Sequence, residues 1–337
     1  MTRVLAIRFS SMGDVLLTAP VLKGVINNFN DAEFFLLTKK QFQGYFNSIE
    51  GLKVIGADTY GTHKGIRGLT SLSKYIKNEI RPDILIDLHS VPRSWYLSFI
   101  SAFRIPVYRI DKGRKEKKDY IEGRVHDPLT HTVERYTGAF EKAGFAAAAV
   151  RYPFIEKRKE RKLRKGSKAN IGLSPFARHR PKTWPFSYTM ELMRILSVEF
   201  DASFHFYGGK EEYEFLGQHD FGDLNVIVHS GRLSPDEEIN SISRLDFFIS
   251  MDSGNMHLAD LAGIRVFSIW GATHPDLGFR PLNQPSGHII ETDQALECRP
   301  CSVYGNKECR LKDSKYKCLL DLSPEYAAGK ILSSIFV

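Results

Sequence analysis

A carboxylate that follows small polar residues, directly after an apolar run, is placed to meet a ligand. This chain offers that combination near its start. Residues 4–7 are apolar, Ser10, Ser11, Met12, Gly13 and Asp14 follow, and a second apolar stretch begins at Val15. Ser10, Ser11 and Gly13 are small enough for a ligand to approach the backbone, and the unpaired amides of a following helix favour an anion. Asp14 has two readings. As a first-turn acid it caps the helix and contributes about 1 kcal/mol. As a general base it takes a proton from a hydroxyl group. The spacing is not GxGxxG and gives no support to a dinucleotide fingerprint.

Three further stretches carry similar chemistry. In residues 249–275 an apolar run turns through Asp252, Ser253, Gly254 and Asn255 into a helix bearing His257. Another run then ends in Gly271, Ala272 and Thr273. Small residues at a helix start expose amides suited to a diphosphate. His257 reads either as a donor to a phosphate oxygen or as a packed histidine. Residues 174–185 place Ser174, Arg178, His179, Arg180 and Lys182 in one loop after an apolar run. Cations there suit phosphate binding, the plainer reading being an exposed basic loop. Gly208 and Gly209 end a further run, and Glu211 or Glu212 is spaced to accept from ribose hydroxyls. Arg93 and the basic residues 111–118 read as contacts to an anionic acceptor or as a solvated charged loop. His126 and His131 read as structural, with His126 also able to orient an acceptor.

All four cysteines, Cys298, Cys301, Cys309 and Cys318, fall in one short segment near the end of the chain. One CxxC pair plus two more cysteines can hold a structural tetrahedral zinc; free or disulfide-bonded thiols are the alternative. The segment lies beyond the last candidate loop, which argues against a catalytic metal.

These residues need elements to position them. Short apolar runs at 4–7, 34–37, 54–55, 84–88 and 107–110 alternate with helical stretches at 15–29, 69–78 and 95–103. The highly charged residues 156–168 read as an interdomain connection, after which the alternation restarts. Strands are expected at 170–173, 202–207, 226–228, 247–250 and 266–270, with helices at 187–199, 235–243 and 256–262. Strand–helix alternation predicts parallel sheets with crossover helices. The expected fold class is α/β with two doubly wound units, whose ligands sit beyond the carboxyl ends of the strands, in a cleft between the units.

With 337 residues, 42% hydrophobic and 26% charged, the chain is large enough for two globular domains. No window of about eighteen residues is apolar throughout, and the N-terminus lacks the pattern of a signal peptide, so a cytoplasmic location is expected. A net charge of +8 and a pI of about 9.1 fit an anionic partner. No aromatic-and-basic RNA motif or zinc-finger spacing is present, so nucleic acid is not the expected partner.

Taken together, RFSSMGD, DLHSVPRS (87–94), KTWP (182–185), GGKEE (208–212), MDSGNMHLA (251–259) and WGATHP (270–275) resemble the ADP-heptose–lipopolysaccharide heptosyltransferase family, glycosyltransferase family 9. The resemblance spans almost the whole chain. It implies a GT-B fold of two Rossmann-like domains: residues 1–160 for the acceptor, residues 168–325 for the nucleotide-sugar with a Cys-rich tail, and residues 326–337 as a helix returning to the first domain. It implies inverting transfer without a catalytic metal, Asp14 as general base and Lys182 on the donor phosphate. Asp252, Ser253, Gly254 and His257 match the phosphate and sugar loop, and Glu212 matches the ribose ligand. Ala177, Arg178 and Asn255 depart from residues common in the family and bear on which donor is used. The implied partners are an ADP-heptose-like donor, a lipopolysaccharide or lipid-linked glycan acceptor, and the cytoplasmic membrane face. The alternatives are a GT-B transferase with another donor or acceptor, and a nucleotide-binding protein without catalysis.

Overall fold

A computed structural model describes residues 1–101, 105–156 and 160–336. The chain divides into two compact units: Met1–Arg114 with Thr130–Phe154, and Lys115–Leu129 with Ile155–Val337.

The first unit is built on strands β1 (Thr2–Ile7), β2 (Ala32–Lys39), β3 (Leu52–Ala57), β4 (Ile84–Asp87) and β5 (Val107–Arg109). They form one parallel sheet in the order β3-β2-β1-β4-β5. Central parallel strands are covered on both faces and read as continuous apolar runs. Accordingly Val4, Leu5, Ala6 and Ile7 are all buried. The helices are α1 (Met12–Leu16), α2 (Ala19–Asn28), α3 (Gly65–Tyr75), α4 (Pro92–Ser101), α5 (Arg114–Ile121), which leads out of the unit, and α6 (Thr132–Lys142). The single helix expected over 15–29 is two. Thr18 Oγ1 donates to the Val15 carbonyl at 2.7 Å, and Pro20 opens α2, where its missing amide costs nothing. Of the helix expected over 95–103, the last residues lie outside the described ones.

The second unit follows the same plan: β6 (Lys168–Ser174), α7 (Phe186–Glu199), β7 (Asp201–Phe206), α8 (Lys210–Leu216), β8 (Asn225–Val228), α9 (Pro235–Ile242), β9 (Phe247–Met251), α10 (Gly254–Leu261), β10 (Val266–Trp270), β11 (Ile289–Glu291), α11 (Lys317–Leu320) and α12 (Pro324–Ile335). Its parallel sheet runs β11-β10-β9-β6-β7-β8. In each sheet the winding reverses once, between β1 and β4 and between β6 and β9. Such switch points open a crevice at the strands' carboxyl ends, the place where doubly wound folds take ligands.

Three boundaries differ from expectation. Residues 115–129 group with the second unit. Helix α12 packs on α7, its buried Ala327, Ala328, Ile331 and Ile335 forming one apolar stripe in that unit's core, so the C-terminal helix groups with the second unit. The charged run is not a free linker: Arg161 pairs with Asp246 at 2.7 Å, Glu160 with Arg265 at 2.6 Å and Lys165 with Glu199 at 3.1 Å, while Leu163 is buried in the core. Residues 157–159 lie outside the described ones. Among the described residues no helix is long and apolar enough to cross a membrane.

Candidate active site

At the switch point of the first sheet, the loop leaving β1 enters α1 with Ser11 as N-cap. Asp14 sits in the first turn, and its Oδ2 accepts from the Ser11 amide at 3.0 Å and the Ser11 hydroxyl at 2.8 Å. Arg8, the residue after β1, completes the setting: its Nη2 lies 2.7 Å from the same oxygen. Its Nη1 donates to the Leu88 carbonyl beyond β4, also at 2.7 Å. The capping reading of Asp14 is realised, and capping α1 also fixes the direction of the carboxylate. Burial pushes the Asp14 pKa up, but the Arg8 charge and the Ser11 donors outweigh it, leaving it below the usual carboxylate value. Tyr136 of α6 donates to the Asp14 carbonyl at 3.0 Å.

The neighbouring loop, after β4, is organised by Asp87. Its fully buried carboxylate accepts from the His89 and Ser90 amides at 3.0 and 2.7 Å and from Ser94 Oγ at 2.9 Å. This holds Ser90 in the left-handed region, with φ 45°. His89 is driven down to about 3 by burial and then by Arg8, Lys112 and Arg93, so it is neutral at physiological pH. Lys112 is pushed down to about 8 by burial first, then by Arg8 and Arg114. Cations therefore crowd the ground around Asp14, a setting that favours an anionic ligand. Arg93 belongs to this group through its effect on His89; Ser10 and Gly13 line the loop itself.

At the second switch point, the loops after β6, β9 and β10 converge. Lys182 Nζ lies 2.8 Å from Asp252 Oδ2, with the two side chains 15% and 12% exposed. Thr273 Oγ1 donates to that same oxygen at 2.7 Å. Asn255 Nδ2 donates to Ser174 Oγ at 3.1 Å, tying the start of α10 to the end of β6. Ser253 is the N-cap of α10 and shares a 3.2 Å hydroxyl contact with Ser250; Gly254 is the helix's first residue. The first-turn amides of α10 have no intrahelical acceptors. His257 is buried within α10. Arg178 is exposed on the Lys182 loop. Glu212 stands one strand over, beyond β7, where its Oε2 accepts from the Gly209 amide at 2.8 Å and caps α8.

Lys182, Asp252, Ser253, Gly254, Ser174 and Asn255 are thus drawn together at the carboxyl end of the sheet. Arg8 belongs to the first group without having been singled out from sequence, whereas Lys112 was read only as part of the basic run 111–118 and Thr273 only as a small residue ending an apolar run. A lone arginine at the end of an apolar strand was the available signal for Arg8, because buried cations are almost always paired. His131 resolves as a cap, its Nδ1 accepting from the Val133 amide that opens α6.

The four cysteines are free thiols. Cys301 Sγ donates to the Cys298 carbonyl, and Cys309 Sγ accepts from the Tyr316 amide. Burial, reinforced by the other cysteines, pushes Cys301 up to about 11 and Cys318 up to about 12. Among the described residues no group of three or more His, Cys, Asp or Glu side chains is arranged to hold a metal ion. Cys298, Cys301 and Cys309 all act on Cys318, so the four sulfurs lie in one neighbourhood.

Comparison with known proteins places these loops in context. The family described as "Glycosyltransferase family 9 (heptosyltransferase)" matches residues 83–311. Lipooligosaccharide heptosyltransferase 2 of Campylobacter jejuni is 26% identical over 324 residues, covering 93% of this chain and 92% of that protein. A glycosyl transferase family 9 structure from Veillonella parvula aligns with a TM-score of 0.74 at 19% identity, covering 99% and 97% of the two chains. The ADP-heptose lps heptosyltransferase II of E. coli aligns at 0.67 with 16% identity, covering 99% and 98%. These likenesses agree with the GT-B class expected from sequence, α/β with two Rossmann-like units. Since the family match covers well over half of its length, the chain belongs to glycosyltransferase family 9 (heptosyltransferase) and is a glycosyltransferase.

Proposed function

We propose that the protein moves a heptose, or a closely related sugar, from a nucleoside-diphosphate donor such as ADP-heptose to a lipopolysaccharide inner-core acceptor, with inversion and with Asp14 as general base. The observation that carries this reading is Asp14 itself, a carboxylate at a switch point, held charged by Arg8 and Ser11 among an excess of cations. The substrates are supported by the names of the relatives, a lipooligosaccharide heptosyltransferase from C. jejuni and an ADP-heptose lps heptosyltransferase from E. coli.

In this reading the acceptor hydroxyl attacks the anomeric carbon as its proton passes to Asp14. The bond from that carbon to the diphosphate oxygen breaks, and the nucleoside diphosphate leaves with the electron pair. Arg8 makes Asp14 a weak base. That suits a late proton transfer, because the hydroxyl becomes acidic only as its oxygen bonds to carbon. Lys182 and the first amides of α10, rather than a metal ion, meet the charge on the leaving group; such preorganised electrostatics are worth several kcal/mol, on the order of 3. Asp252 steers Lys182, Glu212 Oε1 accepts from the ribose, and Ser174, Arg178, Ser253, Gly254, Asn255 and His257 complete the donor side. Ser10, Ser11, Gly13 and Arg93 receive the acceptor, and the exposed basic residues of α5 favour an anionic membrane face on the cytoplasmic side.

The test is Asp14→Asn, assayed in EDTA with ADP-heptose and a lipid-linked acceptor. Turnover is expected to fall by about 10²–10⁴-fold while ADP affinity stays within about twofold. Near-normal turnover would remove the base assignment. Mass spectrometry of glycans from cells lacking the protein tests the substrates: an unchanged heptose content would contradict them.

A further inference from the structure

The Cys-rich segment has no role in the reaction outlined above, yet it wraps the loops that carry Lys182 and Thr273. Arg299 Nε donates to the Gly271 carbonyl at 2.7 Å, and the Cys301 amide donates to the Ala272 carbonyl at 2.8 Å. On the other flank, Trp184 Nε1 donates to the Leu319 and Leu322 carbonyls at 3.1 and 3.0 Å. The Arg180 guanidinium lies over the Tyr316 ring at 4.6 Å. Trp184 and Arg180 each lie two positions from Lys182 in sequence, so the lysine is held within a frame made by residues 299–322. Gly305 lies inside that frame, with φ +69°. A Cβ built on it would run into Cγ and Cδ of Lys182 and would reach Thr273 Cγ2 at 3.4 Å.

We propose that Gly305 is a positioning residue for Lys182: its missing side chain lets the Cys-rich segment press its backbone against the lysine stem and so aim the ammonium at the donor diphosphate. The inference rests on the reading of Lys182 as a donor ligand. It gives the Cys-rich segment a task, which is to seat a cation whose four-carbon stem would otherwise sample many rotamers. It also separates two demands on position 305, the left-handed backbone and the absence of a Cβ. Asparagine tolerates the former but fails the latter, because it carries a Cβ.

The experiment measures ADP binding by calorimetry, together with thermal unfolding, for wild type, Lys182→Met, Gly305→Ala, Gly305→Asn, the Gly305→Ala/Lys182→Met double variant and Gly222→Ala. Gly222 has φ +58° and nothing within 4 Å of a built Cβ, so it carries the backbone strain alone. Both Gly305 variants are expected to weaken ADP binding by about fivefold or more, and Gly222→Ala by less than about twofold. The double variant is expected to bind no more weakly than Lys182→Met. Gly305 variants within about twofold of wild type, or losses that add in full to that of Lys182→Met, would overturn the inference. So would failure of both Gly305 variants to fold while Gly222→Ala folds, since the lysine stem would then not be what yields. If Lys182→Met alone leaves ADP affinity unchanged, it is the donor-ligand reading that fails first.

Discussion

Arg8 and Asp14 form a 2.7 Å ion pair in which the side chains are only 8% and 15% exposed, and the same arginine reaches across to the Leu88 carbonyl. One guanidinium thus ties the loop after β1 to the loop after β4 and sets the charge of the proposed base. Burial alone would raise the Asp14 pKa; Arg8 and Ser11 reverse the sign. Arg8→Met is therefore expected to move the acid limb of the kcat/KM profile to higher pH, because the carboxylate then protonates more readily. A pH–rate profile whose acid limb stays in place would show that Asp14 does not govern it.

Lys112 offers a second handle on pH. Held at about 8 by burial, Arg8 and Arg114, it loses its charge just above neutrality. Acceptor KM in the wild type is expected to climb above about pH 8, whereas Lys112→Gln should begin with a KM about tenfold higher and show no such climb. Steady-state kinetics at saturating donor decide it, and parallel profiles for the two proteins would dismiss Lys112 as an acceptor contact.

Thr273→Val removes the hydroxyl that donates to Asp252 at 2.7 Å while keeping its shape. A hydrogen bond to a charged acceptor is worth about 1.5–3 kcal/mol. Without it Asp252 turns to Lys182 alone and competes more strongly for the ammonium. ADP affinity is expected to drop by about tenfold, read by calorimetry, and an unchanged affinity would show that Thr273 only fills space.

Acid should weaken the fold well above the carboxylate range. Burial depresses His89 to about 3, and His205 and His288 to about 4, against an unfolded value of about 6.5. Between those values the unfolded chain binds more protons than the native one, so stability rises with pH there. The contribution is complete above about pH 6.5 and is lost as pH falls through the folded values. The Tm is expected to decline steadily from about pH 7 to about pH 4.5; a flat scan by calorimetry would contradict the burial of these imidazoles.

Much of this molecule was legible in its sequence because parallel strands, covered on both faces, write themselves as apolar runs. Residues 4–7, 84–88 and 247–250 are examples, and each falls on a central strand. The placement of Asp14, Lys182 and Asp252 in the loops after β1, β6 and β9 was legible too, since each follows such a run. Pairings across long sequence distance were not. Nothing local links Arg8 to Leu88, Thr273 to Asp252 or Gly305 to Lys182. The charged run at 156–168 reads as solvated until Asp246, Glu199 and Arg265 are known to lie beside it. The break in the first helix was readable, since Pro20 marks a helix start more strongly than the apolar periodicity marks continuity.

The detour of residues 115–129 has a practical consequence. Tyr120 contacts His274 Nδ1 at 3.1 Å, Lys117 lies 4.3 Å from the centre of the Phe279 ring, and the Leu129 amide donates to the Asp276 carbonyl at 2.8 Å. Severing the polypeptide once, near residue 155, would strip these partners from the C-terminal fragment and burden the N-terminal one with an orphaned basic helix. Split-gene reconstitution and domain shuffling among relatives must therefore carry this short excursion with the C-terminal half, even though it is encoded within the other.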